Sequence, residues 1–273
     1  MKIIEVVKKR TSVRSYKNQE LSKEIREDIL NHLNNTKGPF NVNVRFSIVD
    51  SNDKGLDDLK LGTYGVIRGC NMFIATAVKN EPRSMEQLGY RLESGILYAA
   101  SQGLGTCWLG GTFKREEFKK AINLKDEEIL PIITPIGYPR EGRSIIDSIM
   151  KFSSGSKNRK NFEEIFYNKG FQNALSRKDA EMYEEAFEAV RLAPSAVNAQ
   201  PWRIIMDNNK FHFYIKRKKA YKETMSYDIQ KIDIGIAMCH FELAINELGF
   251  KGKWIEDREA PKGEAEYVIS FEI

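Results

Sequence analysis

Arg10-Thr-Ser-Val-Arg14 puts two guanidiniums and two hydroxyls within five residues, directly after a short amphipathic stretch. A planar guanidinium donates two parallel hydrogen bonds and keeps its charge, which suits a phosphate, and the hydroxyls of Thr11 and Ser12 add donors. The same composition also describes an ordinary solvated surface. Arg191-Leu-Ala-Pro-Ser-Ala-Val-Asn-Ala-Gln-Pro-Trp-Arg203 is more specific. Pro194 and Pro201 fix the backbone on either side of Ser195, Asn198 and Gln200, which supply donors and acceptors without charge. Asn198 can pair with an imide-like edge, which presents both a donor and acceptors. A loop that closes a helix and starts a strand would use many of the same residues, so residue types alone leave both readings open. Gly103-Leu-Gly-Thr-Cys-Trp-Leu-Gly-Gly111 fails as GxGxxG because position 108 is Trp. It fails as a P-loop because position 111 is Gly instead of Lys, and it follows a helix where both motifs need a strand. Its glycines can still bring backbone amides close to a flat ligand.

Other chemistries find no support in the pattern. His32, His212 and His240 are scattered, and Cys70, Cys107 and Cys239 are odd in number with no CxxC pair. Neither a metal site nor a disulfide framework is expected. No GxSxG occurs, so nothing suggests a serine hydrolase. Lys157-Asn-Arg159-Lys160 and Lys216-Arg-Lys-Lys219 are basic runs, normally solvated faces. Across 273 residues there are 43 basic and 38 acidic side chains, a net charge of +5. That leaves room for an anionic ligand and is too diffuse to argue for nucleic acid. No apolar run reaches the roughly 20 residues of a membrane span. Met1-Lys-Ile-Ile-Glu-Val-Val-Lys-Lys9 interrupts any signal-peptide core with charge. A reducing, cytoplasmic setting is the expectation, with no membrane partner.

Apolar periodicity outlines the elements that must hold these residues. Residues 1–9 predict a short helix. Leu21–Asn34 predicts a second, with Ser22 as N-cap and Ile25, Ile29 and Leu33 repeating every four positions. Val42–Asp50 and Asn71–Val78 predict strands, and Gln87–Gln102 and Arg115–Ile122 predict helices. Ile129–Ile136 predicts a buried strand, whose Pro131 and Pro135 suit an edge or strand end better than a central place. Residues 139–160 predict a long connection. Beyond it, Phe162–Phe166 and Asp179–Leu192 predict helix. Trp202–Met206 and Lys210–Lys216 predict a hairpin turning at Asp207-Asn-Asn209. Lys231–Leu248 predicts a helix and Tyr267–Ile273 a terminal strand.

The second part of the chain reads as a repeat of the first. Gly89 and Gly235 stand 146 positions apart, as do Gly103 and Gly249, Leu97 and Leu243, and Trp108 and Trp254. Two unrelated amphipathic helices would share some of this. An internal duplication explains the common register, and it would stand in for the isologous pairing of a homodimer.

The motifs together resemble the FMN-dependent nitroreductase family, and within it a subset whose single chain holds two fused halves. The resemblance rests on Arg10-Thr-Ser-Val-Arg-Ser-Tyr16, the Gly103–Gly111 segment, Ile136-Gly-Tyr-Pro139, Lys157-Asn-Arg-Lys-Asn-Phe-Glu-Glu164 and Ala193-Pro-Ser-Ala-Val-Asn-Ala-Gln-Pro-Trp-Arg203. It implies an α+β fold with antiparallel or mixed central sheets flanked by helices, built as an intrachain pseudo-dimer. Residues 1–160 would be the first half and 161–273 a second, incomplete half, together one domain over 1–273. The first half has Asn35-Thr-Lys-Gly-Pro-Phe-Asn-Val-Asn43 where a Pro-Ser-Asn loop belongs. The second has Asn168-Lys-Gly-Phe-Gln-Asn-Ala174 where an Arg-Ser-Arg motif belongs. The halves are complementary, and one complete FMN site per chain is implied.

By the same resemblance, Arg10, Thr11, Ser12 and Arg14 hold phosphate, ribityl or pyrimidine oxygens, with Lys157 and Arg159 reinforcing the phosphate. Pro194, Ser195, Ala196, Asn198 and Gln200 come from the other half. Leu109, Gly110 and Gly111 lie beside the isoalloxazine with backbone N–H groups toward its N5 or O4 edge. The implied activity is hydride transfer from NADH or NADPH through FMN to a nitroaromatic, quinone or similar small molecule, with no protein side chain acting as catalyst. Dehalogenation or flavin fragmentation on the same scaffold, and a flavin-binding sensor without turnover, are the alternatives. No nucleic acid partner is implied, and an internal pseudo-dimer can work as a monomer.

Overall fold

The computed structural model describes residues 2–56, 58–140, 158–218 and 227–273. Most of the predicted connection at 139–160 and the end of the second basic run therefore lie outside the described residues. Among those described, the helices are α1 (Ile3–Lys9), α2 (Lys23–Asn35), α3 (Ser84–Ser101), α4 (Arg115–Ala121), α5 (Glu184–Leu192) and α6 (Ile229–Glu247). The strands are β1 (Val44–Asp50), β2 (Met72–Lys79), β3 (Gly105–Thr106), β4 (Glu128–Ile129), β5 (Ile133–Gly137), β6 (Phe166–Asn168), β7 (Trp202–Asp207), β8 (Lys210–Ile215), β9 (Lys253–Ile255) and β10 (Glu266–Glu272). The fold is α+β with one antiparallel and one mixed sheet, as the resemblance implied.

The chain forms two compact units. One holds Lys9–Ser84 and Arg91–Ser153; the other holds Met1–Lys8, Met85–Tyr90 and Ser154–Ile273.

In the first unit the sheet runs β1-β2-β5-β3, with β4 also on β2. Ser22 caps α2 as expected: its hydroxyl accepts the Ile25 N–H. Phe73, Phe113 and Phe118 meet edge to face beneath Val49, Ala75, Leu109, Leu130 and Ile133. Burying each of the larger of these side chains stabilises the unit by roughly 1.5–3 kcal/mol. The predicted strand 129–136 is two strands, interrupted at Pro131. The gap is bridged by Thr76, whose N–H and hydroxyl both donate to the Ile132 carbonyl. Pro135 overturns the expectation of an edge position. It sits inside β5, opposite Phe73, between β2 and β3. β3 tolerates this because its last pair joins Thr106 to Ile136, and the next N–H, of Cys107, goes to the Thr134 hydroxyl.

The second unit carries the sheet β6-β7-β8-β10-β9, antiparallel except for β6 on β7. Phe166, Phe187, Phe211, Phe213, Phe241 and Phe271 fill its core. The hairpin turns at Asn208, which takes φ 55°. The helix predicted over 162–166 is a single 3-10 turn, Phe162–Glu164, closed by an Asn161/Glu164 capping box. So short a segment cannot repay helix nucleation, and Phe166 instead pairs with Ile204 as a strand. The helix predicted from Asp179 starts later, at Glu184, after a 3-10 turn in which Glu181 holds φ 48°.

The two long helices close alike. Gly103 and Gly249 both adopt positive φ, 78° and 89°. Leu104 N–H bonds to Ala99 and Phe250 N–H to Ile245; Gly103 bonds to Ala100 and Gly249 to Asn246. Each bond of the second cap lies 146 positions beyond its counterpart, the spacing of the two glycines. This is the αL closure that glycine permits. Trp108 donates its indole N–H to Glu93, and Trp254 donates to Glu242. Within the second unit, the start of α3 crosses α6 glycine to backbone. A Cβ on Gly89 would stand 2.2 Å from the Ile232 carbonyl oxygen, and one on Gly235 would stand 2.0 Å from that of Glu86. Glu86 is to Gly89 as Ile232 is to Gly235, so the contact is reciprocal.

Candidate functional site

In the first unit, Arg10–Tyr16 is an extended strip bonded to the predicted glycine-rich segment. Val13 N–H donates to the Thr106 carbonyl at 2.8 Å, and Ser12 bridges Thr106. The approach requires Gly105, where a Cβ would strike the Val13 side chain at 2.8 Å. Farther along, Arg68 N–H donates to Arg14 and Tyr16 N–H to Arg68. Lys17 N–H donates to the Tyr138 carbonyl, which brings in the Ile136–Pro139 motif. Arg10 and Arg14 each bury an Nε without a hydrogen-bond partner. Burying a guanidinium donor unpaired is costly. Thr11 and Gly111 are exposed, whereas Ser12 and Gly110 are half-buried. Leu109 is buried, and its N–H already donates to Ile133 at 3.0 Å, so its side chain is what it can offer a ligand. Arg115 donates to the Gly110 carbonyl.

In the second unit, the Ala193–Trp202 segment joins α5 to β7 as a strained loop. Val197, Asn198 and Gln200 take φ values of 41°, 55° and 46°. For non-glycine residues this left-handed region costs energy, most of all for β-branched valine. Internal bonds hold the shape. Ser195 Oγ accepts the Gln200 N–H at 2.9 Å, and Asn198 N–H donates to the Ser195 carbonyl. The Asn198 amide is largely committed within the unit: its oxygen accepts from Arg159 and its nitrogen donates to the Asn158 carbonyl. Gln200, buried, accepts the Lys160 N–H through its side-chain oxygen. Pro194, Ser195 and Ala196 are half-buried, and Val197, 69% exposed, projects from the loop. The structure thus joins the Lys157–Glu164 motif to this loop through Asn158, Arg159 and Lys160. Lys157 itself lies outside the described residues.

Two features of this loop were not legible in advance. Asp233, on α6, is 2% exposed and accepts the Ala196 N–H at 2.9 Å, while its second oxygen is buried without a partner. Burial pushes its carboxyl up to about 8, against the pull of the Ala196 N–H and with help from Asp228. Its signal in the sequence was an acid inside the apolar run Ile232–Phe241. Lys160 and the buried Arg203 both donate to the Gln200 carbonyl. Burial, Arg203, Lys218 and Lys216 bring the Lys160 ammonium down to about 8, with Glu164 opposing.

The family described as "Putative TM nitroreductase" matches residues 2–245. The chain belongs to this nitroreductase family. No curated protein matches it. Among solved structures, a putative nitroreductase from Thermotoga maritima MSB8 shares the fold at TM-score 0.65 and 18% identity, covering 99% of this chain and 93% of that one. A nitroreductase family protein from Clostridium novyi NT matches at TM-score 0.44 and 20% identity, over 54% of this chain and 91% of its own. An FMN-dependent nitroreductase from Clostridium difficile R20291 matches at 0.42 and 20%, over 51% and 88%. Among the described residues of this nitroreductase-family chain, no helix is long and apolar enough to cross a membrane. None of its described His, Cys, Asp and Glu residues gather in threes where a metal could be held.

Proposed function

We propose that this member of the nitroreductase family binds one FMN per chain and acts as an NAD(P)H-dependent oxidoreductase. The observation that carries the reading is the Arg10–Arg14 strip. Two guanidiniums with buried, unpartnered Nε donors, on a strip that Gly105 lets pack against the glycine-rich segment, suit a phosphate-bearing planar cofactor. Bound FMN would supply the redox chemistry, taking reducing equivalents from NADH or NADPH and passing them to a nitroaromatic, quinone or similar acceptor. The chain's own residues bind and orient. Arg10, Thr11, Ser12 and Arg14 would hold the phosphate and nearby oxygens, with Lys157 and Arg159 adding positive charge. Pro194, Ser195, Ala196, Asn198 and Gln200 would supply the contacts of the strained loop. Gly110 and Gly111, with the Leu109 side chain, would line the ring. One flavin per chain follows because each motif occurs once. The similar long helices, repeated caps and reciprocal glycines support descent from a duplicated half.

The test is absorbance of the purified chain after FMN reconstitution, with anaerobic addition of NADH or NADPH. A yellow chromophore near one per chain, bleached by either nucleotide, is expected; a colourless protein refutes the reading. Arg14→Gln and Asn198→Ala should each lower flavin retention about tenfold or more, a loss of at least ~1.4 kcal/mol of binding. Full flavin content in both would remove these residues from the site.

A further inference from the structure

The second basic run, Lys216–Lys219, has no part in the flavin reading, and the structure gives its described residues a setting. Lys216 N–H donates to the Pro201 carbonyl at 2.8 Å, which sets the run beside the Gln200–Arg203 segment. There Lys160 Nζ and Arg203 Nη1 both donate to the single carbonyl oxygen of Gln200, each at 3.2 Å. The two cationic nitrogens are therefore at most twice 3.2 Å apart. Arg203 is 7% exposed, Lys160 is half-buried and Lys218 is exposed. Among the described residues, no carboxylate lies within ion-pair distance of Lys160, Arg203 or Lys218. Arg217 is spent on Asp228 and Glu266, and Lys216 reaches Glu264 at 3.7 Å. Glu164 is the nearby acid, and its carboxylate already caps the Asn161 N–H at 2.6 Å.

Like charges gathered around one neutral carbonyl, partly out of water, repel each other, and an anion relieves that repulsion. A carboxylate ligand would bring one charge. A phosphate monoester brings about −1.5 to −2 and three acceptor oxygens, a closer match to three cations. Half-buried Lys160 is the group such a ligand can touch, buried Arg203 contributes its field, and exposed Lys218, two residues past the Lys216–Pro201 bond, adds charge that lowers the Lys160 ammonium. Exposed Lys218 suits a ligand that comes and goes better than a retained cofactor.

We propose that Lys160, Arg203 and Lys218 form a phosphate site for the exchangeable nucleotide donor, recognising the 2′-phosphate that distinguishes NADPH from NADH. This rests on the NAD(P)H-oxidoreductase reading. Its test is an NMR titration of the Lys160 ammonium in the full chain, using labelled lysine, with inorganic phosphate, NADPH, NADH or FMN added separately. Lys160 should titrate near 8 without ligand. NADPH and phosphate should each raise that value by more than one pH unit, and NADH should not. Lys160→Gln and Lys218→Gln should each weaken NADPH binding about tenfold and leave NADH unchanged. Equal responses to NADPH and NADH, a response to FMN alone, or no response to phosphate would overturn the proposal. The phosphate arm needs no flavin, so a chain that never turns yellow would sink the oxidoreductase reading without altering what that arm says about the site.

Discussion

Replacing Asp233 with asparagine should remove a loss of stability that accompanies rising pH. The buried carboxyl keeps its proton up to about 8, against an ordinary value of 3.8. Between those limits the unfolded chain releases a proton that the folded chain retains. The folded state then binds more protons, so stability is highest at acid pH, falls as pH rises from about 4 to about 8, and levels off above. A rise of about four pH units at ~1.4 kcal/mol each gives roughly 5–6 kcal/mol, an upper limit because a charged Asp233 would draw in water or shift its loop. Asp233→Asn keeps an oxygen for the Ala196 N–H and cannot ionise. It also puts an amide nitrogen where the second carboxyl oxygen has no partner, at a cost of about 1–3 kcal/mol. The variant should be the weaker protein below about pH 5 and the stronger above pH 8 by roughly 3–5 kcal/mol, with the curves crossing near pH 5–6. Urea unfolding at half-unit steps from pH 4.5 to 9 measures both, and the difference curve cancels every other titrating group. Parallel curves would refute the reasoning, because they would mean that Asp233 is ionised throughout.

Gly235→Ala should loosen the α3–α6 crossing, since its Cβ would lie 2.0 Å from the Glu86 carbonyl oxygen and backbone cannot rotate away. A loss of about 3 kcal/mol or more is expected from such overpacking. Gly89→Ala should cost a similar amount, and the double variant less than both together, because one separation of the helices admits both methyls. Thermal unfolding decides this, and a single variant within about 0.5 kcal/mol of the parent defeats it. Val197→Asn should stabilise the chain by about 1 kcal/mol, because asparagine tolerates φ 41° and the 69% exposed valine buries little. A lower denaturation midpoint for this variant would show that Val197 packs more than its exposure implies.

Long periodic elements were legible because their pattern has a local cause. The i, i+4 repeat of α2, the cap at Ser22 and the glycine stops of α3 and α6 need no knowledge of the rest of the chain. The misread pieces depend on distant partners. Phe166 became strand because Ile204 was there to pair with it. Pro135 could enter an inner strand because β3 ends one residue short. For the candidate site, the Arg10–Tyr16 and Gly103–Gly111 segments could be paired in thought, but their register, Val13 on Thr106, is a property of the fold. The settings of Asp233 and Lys160 were hidden for the same reason. Their chemistry comes from the Ala196 N–H and the Gln200 carbonyl, and no local window contains both members of either pair.

Asp233 also shows how the two similar helices differ. Counting back two from Gly235 gives Asp233, and counting back two from Gly89 gives Gln87. Both side chains are buried. A neutral amide is the cheaper occupant of such a place, because hydrogen bonds alone satisfy it, whereas a carboxyl must hold a proton or meet a charge. The costlier residue stands on the helix that faces the strained loop, and its bond goes to the N–H of Ala196, the residue before the left-handed pair Val197 and Asn198. A stretch of backbone in an unfavourable conformation persists when its surroundings over-determine it. Here the surroundings are Ser195 and Gln200 from within, Arg159 from one side and Asp233 from α6. Removing the carboxyl altogether, as in Asp233→Ala, should therefore disturb residues 196–198 before it disturbs α6. Faster amide exchange confined to the loop would bear that out, and exchange rising along the helix instead would assign Asp233 to helix packing.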